Sequence, residues 1–522
     1  MLTTKRTKRT KRSLIAGTAA AAALGIVLTG CAGGGGATGG GGSANGTGTL
    51  TLGAIVPPTT MAAANANWAN ESPYIQAAYD SLLHETPAAK VVPWLATSWS
   101  YNADKTVLTM KLRTDVKFTD GTPFNASAAA QNIIRFRDGT SPNKSELANV
   151  ADAKAVDPST LQITLKQPDP ALLIFLAQNA GAQESPKAFT SASIKTVPVG
   201  SGPYILNGGS TVVGSTYVFT KNPNYWNKSV QHYDKLVINV YQNASTEVNA
   251  IKGGQVNGLP MIDNSANDTV KGSGYTLYPH ELDWQGLMLF DRNGKMDPAL
   301  AKVPVRQAIN YAIDRAAMLK AVDAGNGTVT GQIFPTLQPA YDKALDSAYP
   351  YNPAKAKQLL AQAGYAGGVT ISLPEVPVFS ATVYDLIKQY LGAVGIKVSY
   401  QQVALNDAIA AILAPKYPAA FFRLQEDPTA WQVANFSIAK TAVFNPFHTG
   451  NSTVDSLIGT IQKGSQSQSD AAAQQLNKYV VDQAWFDPWY RVAGNFAADK
   501  NTNVVQQADN AYPYLWNITP KG

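Results

Sequence analysis

Residues 79–136 read YDSLLHETPAAKVVPWLATSWSYNADKTVLTMKLRTDVKFTDGTPFNASAAAQNIIRF. A helix is expected to end in Leu82 and Leu83, and an extended segment carries Pro93, Trp94, Leu95, Ser98 and Trp99. A turn at Asn102 and Asp104 leads into Thr106 to Arg113. There Leu108, Met110 and Leu112 alternate with Thr109, Lys111 and Arg113, the period of a strand with one buried face. Asp120-Gly121 forms a turn, since glycine reaches positive φ without steric cost, and Asn125 or Ser127 caps the helix that follows.

Further along come Val199-Gly200-Ser201-Gly202-Pro203-Tyr204, Lys221-Asn222-Pro223-Asn224-Tyr225-Trp226, WQGLMLFD over 284–291, RQAINYAIDRAAMLK over 306–320 and YNPAKAKQLLAQAGY over 351–365. No Lys-Ser/Thr follows the glycines at 200 and 202, so they are not a phosphate loop. With P-x-L-A-x-S-W and L-R-x-x-V-K-F-x-D-G-x-P-F from the opening stretch, these segments resemble the family 5 extracellular solute-binding proteins, the peptide and nickel receptors of ABC importers. The resemblance runs from about Ser72 to Arg491. It implies an α/β, periplasmic-binding-protein-like fold with two lobes closing on a cleft, in the three-domain (cluster C) arrangement. Residues 49–75, 197–275 and 495–522 would form a discontinuous domain I, 76–196 domain II, and 276–494 domain III as the second lobe.

Length agrees with several domains, because 522 residues exceed the roughly 250–300 at which single cores stop growing. Hydrophobic residues make up 45% and charged residues 15%, a globular composition. Of the net charge of +7, six units sit on Lys5, Arg6, Lys8, Arg9, Lys11 and Arg12, so nothing supports a nucleic-acid patch on the body. Those charges precede an Ala- and Leu-rich run over 14–28 that is short for a spanning helix, and residues 1–30 read as a secretory signal. Leu28-Thr29-Gly30-Cys31 resembles the bacterial lipobox, which implies that Cys31, the single cysteine, is acylated. Residues 31–48 then form a lipidated cysteine and a flexible Gly-rich tether.

In the body, Thr49 to Val56 reads as a strand, and Ser72-Pro73 starts a helix running through Ile75, Ala78, Tyr79, Leu82 and Leu83. Residues 306–320 read as one amphipathic segment with Val305, Ile309, Ala312, Ile313, Ala316 and Leu319 on its inner face. Strands over 369–373 and 395–403 flank a helix over 381–394, so strand and helix alternate as in an α/β domain.

The four histidines, His84, His232, His280 and His448, lack metal-ligand spacing, and neither a metal nor a cofactor is expected. Ser141-Pro142-Asn143-Lys144, Ser265-Ala266-Asn267 and His448-Thr449-Gly450 imitate the elements of penicillin-recognising serine enzymes, whose chemistry needs serine and lysine one helical turn apart. The third element lacks its lysine, and the expectation is of a protein that is not an enzyme. The resemblance instead implies a cleft needing aromatic walls and a few aimed polar groups. The candidates are Thr59, Thr60 and Met61 in the loop after the first strand, then Trp284, Gln285, Phe422, Arg423, Glu426, Asp427, Trp431, Trp489 and Tyr490. Peptide receptors of the family place an acid four residues before the proline corresponding to Pro428, to clamp the ligand's α-amino group. Leu424 stands there, so either Glu426 or Asp427 replaces it or the ligand has no free amine. The implied partners are a peptide or other small polar solute, ABC permease and ATPase subunits, and the membrane through the lipid anchor. A monomer at the outer face of the cytoplasmic membrane is expected, with a ligand-sensing lipoprotein as the alternative reading.

Overall fold

The computed structural model describes residues 48–521 except 378, 405 and 406. The signal segment, Cys31 and tether residues 33–47 lie outside the described residues. Among those described, no helix is long and apolar enough to cross a membrane.

Two long antiparallel strands, Thr276–Leu289 and Phe486–Ala498, run side by side for almost their whole length. At one end Phe486–Ala498 pairs Gly258–Pro260, and the sheet continues through Thr49–Ala54, Lys235–Val240 and Thr216–Lys221 to Tyr204–Leu206. At the other end Thr276–Leu289 pairs Ala419–Gln425. One pair of strands therefore carries the chain from one half of the molecule to the other. Thr49–Ala54 buries Leu50 and Leu52 while pairing Lys235–Val240 in parallel.

A separate four-stranded antiparallel sheet, in the order Ala96–Tyr101, Val107–Leu112, Thr160–Leu165, Val150–Asp157, packs against helix Ala126–Arg137. Its core contains Leu108, Met110, Leu112, Leu161, Ile163 and Ile133, as the alternation predicts. Asn125 caps the helix by accepting from Ala128 N at 3.0 Å, and Gly121 has φ +80°. In the other half, parallel strands Val369–Glu375 and Ile396–Gln402 share a core with helices Val303–Ala312, Pro353–Gln362 and Ala381–Ala393.

The segments that carry the family resemblance meet in the interior. Asp80 accepts from Trp94 Nε1 and the Tyr225 hydroxyl, both at 2.8 Å, and from Trp226 Nε1 at 3.1 Å. Burial pushes its carboxyl up to about 6 against the pull of those donors. His84 is stacked between Trp94 and Trp516, with ring centroids at 3.9 and 3.6 Å, and burial pushes it down to about 3. It is a neutral core residue.

Two helices differ from the sequence reading. The first spans Ser72–Ala78 only; Tyr79 is extended at φ −128°, ψ 143°, and Leu83 begins the strand Leu83–Glu85. Gly202 N donates to the Ala78 carbonyl at 3.0 Å, and a Cβ at Gly202 would lie 2.4 Å from that carbonyl carbon. The returning chain occupies the place of the next helical turn. Residues 306–320 form two helices, Val303–Ala312 and Arg315–Asp323. Asp314 breaks the run by capping Ala317 N at 3.0 Å, and Arg315 then turns inward to pair with Asp487 at 2.8 Å. Ala316 is exposed, and Met318 takes the buried place.

Candidate functional site

A cavity of about 460 Å³ opens where the two long strands cross between the halves of the molecule, within the range of small-ligand sites. Its floor comes from His280, Leu282 and Asp283 on one long strand and Gly494 and Asn495 on the other. The pairing of these strands slips between Glu281 and Asp283, and this bulge puts Leu282 on the cavity. One wall is Trp68, Ala69, Asn70, Asn143 and Glu146; the facing wall is Arg423, Asp427, Pro428, Gln432 and Phe436. The last two stand four apart where helix Ala430–Val433, capped by Thr429, widens into the π-helical turn Ala434–Ile438, a feature frequent at functional sites.

Asn143 organises the first wall. Its amide donates to Glu146 Oε1 at 2.8 Å and its carbonyl accepts from Trp68 N at 3.2 Å, while the short helix Lys144–Leu147 is pinned by buried Leu147. Burial, with the Asp427 charge adding to it, pushes Glu146 up to about 8 against the pull of Asn143. Glu146 Oε2 and Trp68 Nε1 are buried without a hydrogen-bond partner. On the facing wall burial pushes Asp427 up to about 7. Its backbone carbonyl accepts from Gln338 at 2.5 Å, whereas its carboxylate has no partner among the described residues. Asp283 accepts from Arg423 Nε at 2.7 Å, and Asp509 accepts from Gln178 and Gln507 at 3.2 and 2.8 Å. His280 is pushed down to about 4 by burial and is uncharged at neutral pH. A second depression, about 560 Å³ around Met296, Val443 and His448, has no carboxylate in its lining.

Of the residues nominated from sequence, the structure places Arg423 and Asp427 on the cavity and the others elsewhere. Thr59 is tied to Glu71 at 2.9 Å, Thr60 Oγ1 accepts from Ala62 N, and Met61 is buried, its carbonyl accepting from the Tyr79 hydroxyl. Their loop does reach the cavity, but at Ile55 and again at 68–70. Trp284 packs edge-on to Phe486, and Gln285 bonds Asp323 and the Tyr490 hydroxyl, which itself donates to Asp323 at 2.6 Å. Phe422 packs on Phe379 and Phe444, and Trp431 is core. Trp489 stacks on Phe421 and donates to Asp487 at 2.9 Å. Glu426 pairs with buried Arg491 at 2.8 Å. Large aromatics on a sheet that is buried on both faces become core before they become cleft. Glu146, Trp68, Gln432 and Asp509 were missed because they come from four unpatterned segments.

The serine-enzyme constellation does not assemble. Ser141 is buried and donates to the Ala66 carbonyl at 2.6 Å, Ser265 donates to Asp263 at 2.7 Å, and His448 Nδ1 lies 2.8 Å from the Lys440 carbonyl. The Ser141 hydroxyl is thus committed to a backbone carbonyl while accepting from Asn143 N at 3.1 Å, and no lysine or histidine is among its described hydrogen-bond partners.

Comparison with known proteins agrees with this architecture. The family described as "Bacterial extracellular solute-binding proteins, family 5 Middle" matches residues 90–441. The glutathione-binding protein GsiB of Escherichia coli (strain K12) is 31% identical over 356 residues, 63% of this chain and 64% of that protein; the match thus spans just under two thirds of the relative. HbpA2 from Haemophilus parasuis superposes with a TM-score of 0.80 at 20% identity, covering 91% of this chain and all of that one. NikA from Brucella suis in complex with Fe(III)-EDTA gives 0.77 at 22%, with 91% and 100% covered. These two likenesses carry the two-lobed α/β fold, and the family match carries the assignment. The chain belongs to the family 5 bacterial extracellular solute-binding proteins.

Proposed function

We propose that this protein is the solute receptor of an ABC importer, which captures an oligopeptide or related polar solute outside the cytoplasmic membrane and delivers it to the permease. The observation that carries this reading is the cavity between the crossing strands, walled from both halves of the chain, in a member of a solute-binding family. Residues 49–75, 197–275 and 495–522 serve as domain I, 76–196 as domain II and 276–494 as the moving lobe. Cys31 carries the lipid anchor, the tether gives the body reach, and a monomer presents its closed form to permease subunits whose ATPase partners supply the energy. The protein itself catalyses nothing.

A thermal-shift screen of the full chain against peptide, sugar, opine and chelated-metal pools tests the reading. A solute at 100 times its Kd stabilises the native state by about 2.7 kcal/mol, so at least one pool is expected to raise the melting temperature. If no pool moves it, the receptor reading is wrong.

A further inference from the structure

The two halves of the molecule meet again outside the sheet that carries the long strands. The hairpin joining Ala96–Tyr101 to Val107–Leu112 turns at residues 102–105, where Asn102 Oδ1 accepts from Thr106 N and Val107 N, both at 2.8 Å. Lys105 ends the turn with φ +53°, the left-handed conformation that glycine takes without steric cost. Its half-buried side chain leaves its own sheet and donates to the Gly464 carbonyl, just past the end of helix Ser452–Lys463, where the carbonyl end of a helix favours a cation. Gln462, on the same helix, donates in the opposite direction, from Nε2 to the Pro168 carbonyl at 3.0 Å. Each half thus supplies a side-chain donor to a backbone carbonyl of the other. These four residues line a crevice of about 200 Å³ together with Tyr101, Asp169, Leu173 and Ile461. An apolar cluster crosses the same seam, joining Leu172 and Phe175 to Trp431 and Ile461, and Trp431 is among the donors to the Asp169 carboxyl. Phe175 and Gln432, beside these residues in the chain, line the main cavity, so the seam borders it.

Building on the receptor reading, we propose that Lys105 and Gln462 form a two-way latch that draws the halves together over the cavity before any solute has entered it, and that they act in capture as positioning residues without touching the solute. A lysine in a left-handed turn is strained relative to glycine, and its bond to Gly464 offsets that strain only while the halves are together. Hydrogen bonds that water can replace contribute little net stability each, so the latch biases the balance toward closure and still releases. Apparent affinity scales with the fraction of molecules in the binding-competent state. Residues at this seam therefore tune the capture of every solute alike, whereas residues on the cavity discriminate between solutes.

Double electron–electron resonance on the full chain at pH 7, with no solute added, tests the latch. Nitroxides are placed on Ala103→Cys and Ser467→Cys, exposed positions on either side of the seam, in a Cys31→Ser background that removes the native thiol. This parent is expected to show a short-distance population matching the closed arrangement, which Lys105→Met and Gln462→Ala should each reduce at least about twofold. Lys105→Arg, which keeps a cationic donor, should preserve it, and Lys463→Met, the loss of a neighbouring exposed charge, should leave it unchanged. Lys105→Gly separates the latch from the fold: it relieves the left-handed turn, so the melting temperature should hold or rise while the short population still shrinks. A parent without the short population, or equal distributions in the parent, Gln462→Ala and Lys105→Gly, would overturn the latch. So would a loss confined to variants whose melting temperature has fallen and absent from Lys105→Gly, which marks local unfolding instead of opening. None of these results bears on the receptor reading, which the thermal-shift screen decides separately.

Discussion

At the scale of single residues, the cavity acids make stability depend on pH. Carboxyls in an unfolded chain titrate near 4, whereas burial pushes Asp427 up to about 7 and Glu146 to about 8. The folded state therefore keeps protons that the unfolded chain has released. The stability these groups contribute is present below the unfolded value and is lost as pH rises through the folded ones. The melting temperature of the ligand-free protein should fall from about pH 5 to about pH 8, and less steeply in Glu146→Gln and Asp427→Asn. Asp80, pushed up to about 6, and Glu247, pushed up to about 7, act in the same sense, so the difference in slope between wild type and variant is the informative quantity. Identical slopes would mean that folding raises the pKa of neither acid. Residue roles were the least legible part of the sequence. Trp489 and Glu426 have the composition of a cleft, yet Phe421 and Asp487 claim the first and Arg491 the second. Glu146, which does face the cavity, sits in a stretch whose only pattern was a false enzyme motif. What decides between wall and core is which element arrives opposite, and that information is not local.

At the scale of elements, legibility followed the range of the forces. Val107–Leu112 could be read from its alternation, and Ala126–Arg137 from its cap, because both signals act within a few residues. The ends of Ser72–Ala78 and Val303–Ala312 could not. The first helix stops because Gly200 and Gly202 arrive from more than a hundred residues away and press on Ala78 and Tyr79. The second breaks because Arg315 is needed at Asp487. This also gives the glycine motif a physical reason: its φ is ordinary, and what it supplies is the missing Cβ at a backbone-to-backbone contact. Gly202→Ala should then destabilise the protein by about 1–3 kcal/mol or more, the usual cost of forcing extra atoms into a packed interior. Urea unfolding followed by tryptophan fluorescence measures it. Gly208, which has no neighbour within 4 Å of its would-be Cβ, serves as the control, and Gly208→Ala should leave the midpoint nearly unchanged. A Gly202→Ala midpoint equal to that of the control would show that the contact relaxes without cost.

At the scale of the whole molecule, the long strands Thr276–Leu289 and Phe486–Ala498 link the two halves, and their ladder slips at two places, near Leu282 and between Gln285 and Gly286. Each slip leaves a residue unpaired and bends the strand locally, and a hinge there is the motion that the receptor reading requires. Glu146 and Asp427 both line the cavity, and the Asp427 charge adds to what raises the Glu146 carboxyl. Two like charges 4 Å apart repel by about 1 kcal/mol in water and about 4 kcal/mol at the effective dielectric of a protein surface, while open and closed states of such molecules differ by only a few kcal/mol. Repulsion between two ionised carboxylates on the cavity is therefore of a size that bears on the balance between open and closed states. Small-angle scattering at pH 8, where both acids are substantially ionised, gives the reference radius of gyration of the wild type. The double variant Glu146→Gln, Asp427→Asn should be more compact than the wild type without any ligand, and lowering the pH to about 5 should compact the wild type in the same way, because both carboxyls are then protonated. A radius that is the same in all these states would mean that the strands form a rigid link and that the cavity binds without closing.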